Sequence, residues 1–218
     1  MNIYITSATP FEVQPLKELV SKCDLKNIHF HVSGVGILQS VFSIHKLITE
    51  QSPDFILQAG IAGTFDEQCI LGDVVLVKEE FSGTSGVAEN NEWKDIFDLN
   101  LAQKDLHPFT GKSLINPWLK DYKQLSLKEI RAVTVDEIST DKNRIAQLKQ
   151  KYNPYIESME GAALHYCALQ YYIPFLQIRG ISNFVGDRNK QNWKIKEAIQ
   201  NVCEKTFALL ENMAGKKP

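Results

Sequence analysis

The sequence lacks several things, and each absence closes off a class of function. There is no basic surplus: 24 Lys and Arg face 26 Asp and Glu, for a formal net charge of −2 and a pI near 6.2. Neutralising phosphates takes clustered cations, so nucleic acid is not an expected partner. The Lys216-Lys217 pair reads as a solvated tail. The four cysteines, Cys23, Cys69, Cys167 and Cys203, lie far apart with no CxxC pair. They read as reduced, mostly buried thiols of a cytosolic protein. No run of about 18 apolar residues occurs, so no membrane span is expected. The opening "MNIYITSATP" lacks the basic-then-apolar pattern of a signal peptide, which makes a cytoplasmic location the expectation. His29 and His31 share one strand face, but with no acid or Cys ligand beside them they read as strand packing, and no metal is expected.

No repeat, low-complexity tract or linker interrupts the chain either, so one domain over residues 1–218 is expected. Hydrophobic residues make up 44%, enough for a sizeable core. "NIYIT" (2–6) reads as a buried first strand, followed by a turn at Ala8-Thr9-Pro10 and a helix from about Phe11. "IHFHVS" (28–33) is a second strand, and the apolar spacing over 37–50 predicts a helix after Gly34-Val35-Gly36. "DFILQAGIAG" is a short apolar strand stopping in glycines; 73–81, 131–135 and 174–181 are further strands. Helices are expected at 141–151, 159–171 and from about Trp193 to Met213. The segment 82–128 reads as a loop excursion that covers a pocket. Apolar strands without alternation, mixed with helices, indicate an α/β sheet covered on both faces. In such folds ligands bind where strand C-terminal ends point.

Four positions of that kind stand out. Glu12 follows the first strand, and Gly60-Ile61-Ala62-Gly63 forms a glycine turn after another. Met159-Glu160 opens a helix, and Arg179 precedes Ser182-Asn183 at a strand mouth. Singly, most have plain structural readings. Glu12 and Glu160 suit the first turn of a helix, glycines suit a tight bend, and Asn183 suits a turn. Arg179, inside "PFLQIRGIS", is harder to set aside, because a buried cation needs a partner.

Five segments taken in order, "SGVG" before a helix, "PDFILQAGIAG", "LGDVVLV", "SMEGAA" and "IPFLQIRGISN", resemble the purine nucleoside phosphorylase / nucleosidase superfamily. The similarity extends from residue 1 to about 210. Within the superfamily the chain is similar to the 5′-methylthioadenosine/S-adenosylhomocysteine nucleosidases and the futalosine hydrolases. "SNFVGDRNKQNWKIKEAI" (182–199) resembles the latter, and Ser-Asn stands where adenine-specific nucleosidases carry Ser-Asp. The resemblance implies a three-layer α/β/α fold around a central mixed twisted sheet, in a homodimer or larger homo-oligomer. It implies cleavage of the bond between purine N9 and ribose C1′, with a small-molecule nucleoside and water as reactants and no cofactor. By the same resemblance Glu160 bonds the ribose 2′-hydroxyl over a Met159 floor and Arg179 anchors Glu160. Glu12 activates water, and the backbone of Gly60, Ile61 and Ala62 lines the sugar and water site.

The seat of the nucleophile separates hydrolysis from phosphorolysis. Phosphorolytic relatives hold the dianion with an arginine before the glycine turn and a serine inside it; here those positions are Gln58 and Ile61. An acid at position 12 repels phosphate but binds water, so a hydrolase is expected. The residue type at 183 bears on the base. An amide donates to a 6-oxo group and accepts from a protonated N7, a pattern suited to hypoxanthine. A 6-oxopurine leaving group is then expected, and the resemblance supplies futalosine as the substrate, in menaquinone biosynthesis, with an adenine nucleosidase as the alternative; a phosphorylase or a non-catalytic nucleoside-binding module is further off. Asp187, in Val185-Gly186-Asp187-Arg188, is either a contributor to N7 protonation or a local turn. "TVDEIS" (134–139) lacks the stacking aromatic of the nucleosidases, so Phe184 or an aromatic from 82–128 is expected to take that place.

Overall fold

A computed structural model of the chain describes residues 1–90 and 92–215; the Lys216-Lys217 tail lies outside the described residues. Strands β1 (Ile3–Ser7), β2 (Ile28–Val32) and β3 (Phe55–Thr64) alternate with helices α1 (Pro10–Val20) and α2 (Ile37–Gln51). There follow β4 (Val74–Ser82), a hairpin of β5 (Gly86–Glu89) and β6 (Glu92–Asp95), β7 (Leu114–Ile115) and β8 (Lys128–Thr134). Helix α3 (Lys142–Tyr152), β9 (Ile156–Ser158), α4 (Gly161–Gln170), β10 (Phe175–Phe184) and α5 (Ile195–Gly215) complete the described chain.

The main sheet is mixed and runs β10-β4-β8-β9-β3-β1-β2, with β7 on β4 and a further β10–β3 pairing. Because β10 pairs with both β3 and β4, five strands close on themselves, and β1 and β2 extend from β3 as a parallel arm. Side chains of β3 alternate between two covered faces. Phe55, Leu57 and Ala59 pack with Val13, Leu16, Val202 and Leu210 of α1 and α5, whereas Ile56 packs with Ile44, Leu47, Leu164 and Ala168 of α2 and α4. Three layers result. Cover on both faces explains the absence of polar alternation, each fully buried Leu or Ile contributing roughly 1.5–3 kcal/mol.

Two expectations about strand ends change. Gly60 and Gly63 do not end β3, which runs through both to Thr64. They are needed for what passes over them: an added Cβ at Gly60 would stand 2.6 Å from Arg179 Nη1 and 2.8 Å from Glu12 Oε1. Asn183 likewise lies within β10, after a bulge that leaves Ser182 out of register. His29 and His31 are packing residues: His29 stacks on Tyr4 at 4.6 Å, and His31 bonds Thr6 Oγ1 at 3.0 Å and Ser43 Oγ at 2.9 Å. Cys69, Cys167 and Cys203 are buried free thiols and Cys23 is exposed.

The 82–128 segment is fastened to the body. Trp93 Nε1 donates to Tyr152 OH at 3.1 Å, Lys151 pairs with Asp95 and Asp98, and Asn116 Nδ2 donates to the Phe175 carbonyl at 2.7 Å. None of its described residues lines the cavity described next. Its Gly83, Thr84 and Trp93 instead line a neighbouring cleft against Asp136, Ser139 and Arg144.

Candidate active site

Where the C-terminal ends of β1, β3 and β10 meet, a cavity of about 360 Å³ opens. Its floor is Ile61, Ala62 and Gly63, and its walls carry Glu12, Glu157, Met159, Glu160, Ser182 and Asn183. Phe11, Val35, Ile138, Val185 and Trp193 form the outer, mostly apolar part.

Glu12 is placed by α1. It is the third helical residue after the Thr9 N-cap, and its Oε2 accepts from Thr9 N at 3.0 Å and Thr9 Oγ1 at 3.2 Å, a capping box. Oε1 turns the other way and accepts from Ile61 N at 3.2 Å across the floor of the cavity. The helix-start reading accounts for Oε2, and Oε1 faces the cavity floor. Burial to 7% exposure keeps this carboxylate largely out of bulk water.

Glu160 is the N-cap residue of α4, and its side chain turns away from the helix. Oε1 accepts from Gly36 N at 3.2 Å, and Oε2 lies 3.8 Å from Arg179 Nη1. Burial pushes its pKa up, against the pull of Arg179 and of the Gly36 and Met159 N–H groups, while the nearby Glu12 pushes the same way as burial. Arg179, 1% exposed, stands behind the cavity wall. It is held by Gln177 Oε1 at 3.0 Å on Nε and Gln58 Oε1 at 2.9 Å on Nη2. Neither Arg179 nor Gly60 lines the cavity; both back it, and Gly60 is the gap through which Arg179 and Glu12 approach each other.

Behind Arg179 lies a polar network that the sequence reading missed. Gln177 Nε2 donates to Glu80 Oε2 at 2.8 Å and to His165 Nε2 at 3.1 Å, and His165 Nδ1 donates to the Leu114 carbonyl at 2.9 Å. That tautomer leaves His165 neutral, and burial lowers its pKa to about 3. Thr134 Oγ1 donates to Glu80 Oε1 at 2.9 Å and accepts from Ala162 N at 2.8 Å, tying Glu80 to the start of α4. Gly161 is compelled by this network, since a Cβ there would stand 2.3 Å from Glu80 Oε2. The signal was present in "VLVKEEF": one acid of an adjacent pair in an apolar strand must point inward.

Desolvation raises the Glu80 pKa from 4.5 to about 7. The folded protein thus holds this proton more tightly than the unfolded chain. Its contribution to stability is full below about pH 4.5 and is lost as pH rises through about 7, a change on the order of 3 kcal/mol. Glu80→Gln removes the titration. Urea denaturation is expected to show the variant gaining on wild type by roughly that amount between about pH 4.5 and 8; a pH-independent difference would contradict it.

At the opposite wall Asn183 Oδ1 accepts from Ser182 Oγ at 2.7 Å and Nδ2 donates to the Phe184 carbonyl at 3.0 Å, leaving one N–H and one lone pair unused. Two expectations fail here. Phe184 does not line the cavity, because at its place in β10 its side chain falls outside the wall that Asn183 and Val185 form. No aromatic of 82–128 reaches it either; the aromatics at the cavity are Phe11 and Trp193. Asp187 does line it, but its carboxylate accepts from Asn192 Nδ2 and Asn189 N, both at 2.8 Å. Those bonds hold its pKa below the usual range, so it is a turn anion and not a proton donor. Trp193, whose Nε1 donates to the Asp187 carbonyl at 3.0 Å with the Arg188 guanidinium 5.3 Å from its ring, was read only as a helix start. Among the described residues no group of three or more His, Cys, Asp or Glu is arranged to hold a metal, and no helix is long and apolar enough to cross a membrane.

The family model of the phosphorylase superfamily matches residues 5–214, so the chain belongs to that superfamily. Among its relatives is the futalosine hydrolase of Thermus thermophilus, 25% identical over 185 residues that span 84% of this chain and 81% of that protein. The 5′-methylthioadenosine/S-adenosylhomocysteine nucleosidase of Bacillus cytotoxicus is 28% identical over 159 residues, 71% of this chain and 67% of that one. In fold the chain is similar to the futalosine hydrolase of Helicobacter pylori, with a TM-score of 0.80 at 15% identity over 96% of this chain and 97% of that one. The 5′-methylthioadenosine/S-adenosylhomocysteine nucleosidase of the same organism gives a TM-score of 0.77 at 16% identity, over 96% and 97% of the two chains.

Proposed function

We propose that the chain hydrolyses the N-glycosidic bond of a purine nucleoside, with futalosine as substrate and hypoxanthine and dehypoxanthine futalosine as products, in menaquinone biosynthesis. The observation that carries this is the convergence of Glu12, Glu160 and the Asn183 amide on one cavity. Bond cleavage puts positive charge on the ribosyl ring and negative charge on the departing base. Glu160, beside Met159 on the cavity wall, takes the 2′-hydroxyl and stabilises the cationic sugar in a site with little water. Glu12, fixed by Thr9 and Ile61 N–H, accepts the proton of the attacking water. Asn183 gives its unused N–H to a 6-oxo group and its remaining lone pair to a protonated N7.

Water is favoured over phosphate by the charge around the nucleophile. Of the described residues lining the cavity, Arg188 is the one Lys or Arg, and it is exposed and turned to Trp193. Gln58, where phosphorolytic relatives place an arginine, spends its oxygen on Arg179. The second reading, an adenine nucleosidase, is supported by the Bacillus relative, and the amide at 183 counts against it. A cytoplasmic location and a homodimer or larger assembly belong to the same proposal. Leu38 and Phe42, 85% and 69% exposed one turn apart on α2, and the exposed Val35 at the cavity rim are apolar side chains suited to burial against a second copy.

Incubation with futalosine, inosine and methylthioadenosine in phosphate-free buffer tests the reading by chromatography of the free base. Hypoxanthine release from futalosine is expected to be fastest; faster adenine release, or a requirement for phosphate, would overturn it. Asn183→Asp is expected to shift the kcat/KM ratio toward the aminopurine by roughly 5–150-fold, the cost of one mismatched buried polar pair.

A further inference from the structure

The two parallel strands behind the cavity carry the same residue at the same level. Gln58 of β3 pairs with Gln177 of β10, and two residues further on Gly60 pairs with Arg179. Side chains at i and i+2 share a face, so both glutamines and the arginine lie in one buried layer. Gly60, without a side chain, leaves room there for the guanidinium. Arg179 Nε donates to Gln177 Oε1 at 3.0 Å and Nη2 donates to Gln58 Oε1 at 2.9 Å. Among the described residues, the one carboxylate within 4 Å of Arg179 is that of Glu160. Its Oε2 stands 3.8 Å from Nη1, longer than a hydrogen bond.

A buried arginine is ordinarily closed by a carboxylate in direct contact, which neutralises its field locally. Amide oxygens satisfy the same N–H groups and bring no charge. The charge of Arg179 therefore reaches past both amides to Glu160, whose carboxyl it draws down against the effect of burial. Around this pair stand Glu12 on α1, Glu80 on β4 and the neutral His165 on α4. Neither amide is free to turn over. Gln177 Nε2 is committed to Glu80 Oε2 and His165 Nε2, and turning Gln58 would set its NH₂ against Arg179 Nη2. Gln58 Nε2 is itself buried without a partner, so this position uses its oxygen alone.

We infer that Gln58 and Gln177 are positioning residues for the hydrolysis, neutral clamps that hold Arg179 without a counter-charge so that its charge serves Glu160. The inference rests on the hydrolase reading and deepens it. Glu160 stabilises the ribosyl cation only when ionised, and its burial favours the neutral form. A carboxylate at either glutamine would grip the arginine at least as firmly and would cancel its field. What the site requires at 58 and 177 is therefore an acceptor without charge, and not an acceptor alone.

The test replaces an amide by the acid of the same shape. Gln58→Glu keeps an oxygen on Arg179 Nη2 and gives up only an N–H that has no partner. If Gln58 merely braces the arginine, the pH profile stays where it is. The expected result is that the acid limb of kcat/KM for futalosine moves up by about 1 pH unit, with the plateau above it retained. Gln58→Met removes the oxygen without adding charge and is expected to give no upward shift. An equal shift in both variants would overturn the inference, since the lost bond and not the added charge would then be at work. Gln177→Glu sets the charge on Nε and carries the same expectation, should Gln58→Glu not fold. Independently of turnover, ¹³C NMR of the Glu160 carboxyl, assigned with Glu160→Gln, is expected to show its titration raised by about 1 unit in the ligand-free acid variant. An unmoved carboxyl overturns the inference, and so does a carboxyl that moves while the rate profile stays. Wild type that releases no base from any of the three nucleosides, with the carboxyl shift present, sinks the hydrolase reading alone and leaves the clamp on Glu160 standing.

Discussion

Replacing Glu12 by Gln is expected to lower kcat by roughly 10²–10⁴-fold with KM changed only a few-fold, because a general base acts in the transition state and not in binding. The side chain has two duties, which allows the result to be read. Oε2 closes the capping box with Thr9, and Oε1 takes the Ile61 N–H. Glutamine keeps one of these acceptors and sets an NH₂ against a backbone donor at the other. The stability cost is on the order of 1 kcal/mol. Thermal denaturation of the variant is therefore expected to show a folded protein, in which a loss of turnover is chemical. If single-turnover kinetics with futalosine are unchanged, Glu12 is a helix cap and the water-activating role falls.

How far the sequence alone disclosed this site depends on where each residue stands in its element. Glu12, Glu160, Ser182 and Asn183 were legible because they punctuate apolar runs, and in a sheet covered on both faces such punctuation lies at strand ends. Arg179 was legible because a guanidinium within "PFLQIRGIS" is costly to bury alone. Glu80, Gln177 and Glu157 were not. Each is a polar residue within a strand, and periodicity cannot tell whether it faces solvent or a buried partner until the pairing register is known. The glycines misled for a related reason. Gly60 and Gly63 carry ordinary strand conformation, and their lack of a side chain makes room for Arg179, Glu12 and Asn183 without turning the chain. The aromatic wall was misplaced because Phe11 and Trp193 come from segments adjacent to the site only after α1 and α5 have docked on the same face. The layered architecture, by contrast, followed from unbroken apolar strands alternating with helical periodicity. Those patterns are local and survive without knowledge of register.

Arg179→Met carries the largest expected effect on stability, a loss of about 3–5 kcal/mol near neutral pH. Arg179 is the guanidinium that Glu80 and Glu160 share: its Nη1 is 3.8 Å from Glu160 Oε2, and its field lowers the Glu80 and Glu160 pKa values. Methionine restores much of the volume but none of the charge, so the carboxyls are left buried and unbalanced. The Glu80 and Glu160 pKa values then rise beyond where burial already sets them, and the variant binds protons more tightly than wild type. The sign follows: a group whose folded pKa is raised stabilises at low pH and loses that contribution as pH climbs through the raised value. The deficit of Arg179→Met measured by urea denaturation is therefore expected to be largest at about pH 8 and to shrink toward about pH 5, as the orphaned carboxyls protonate. Lost packing would give a deficit independent of pH, so equal deficits at the two values would show that Arg179 acts by filling space. Activity should follow the same charge. With Glu160 neutral for lack of its cation, the ribosyl cation loses its counter-charge, and kcat is expected to fall by roughly 10²-fold or more with the working range displaced to higher pH.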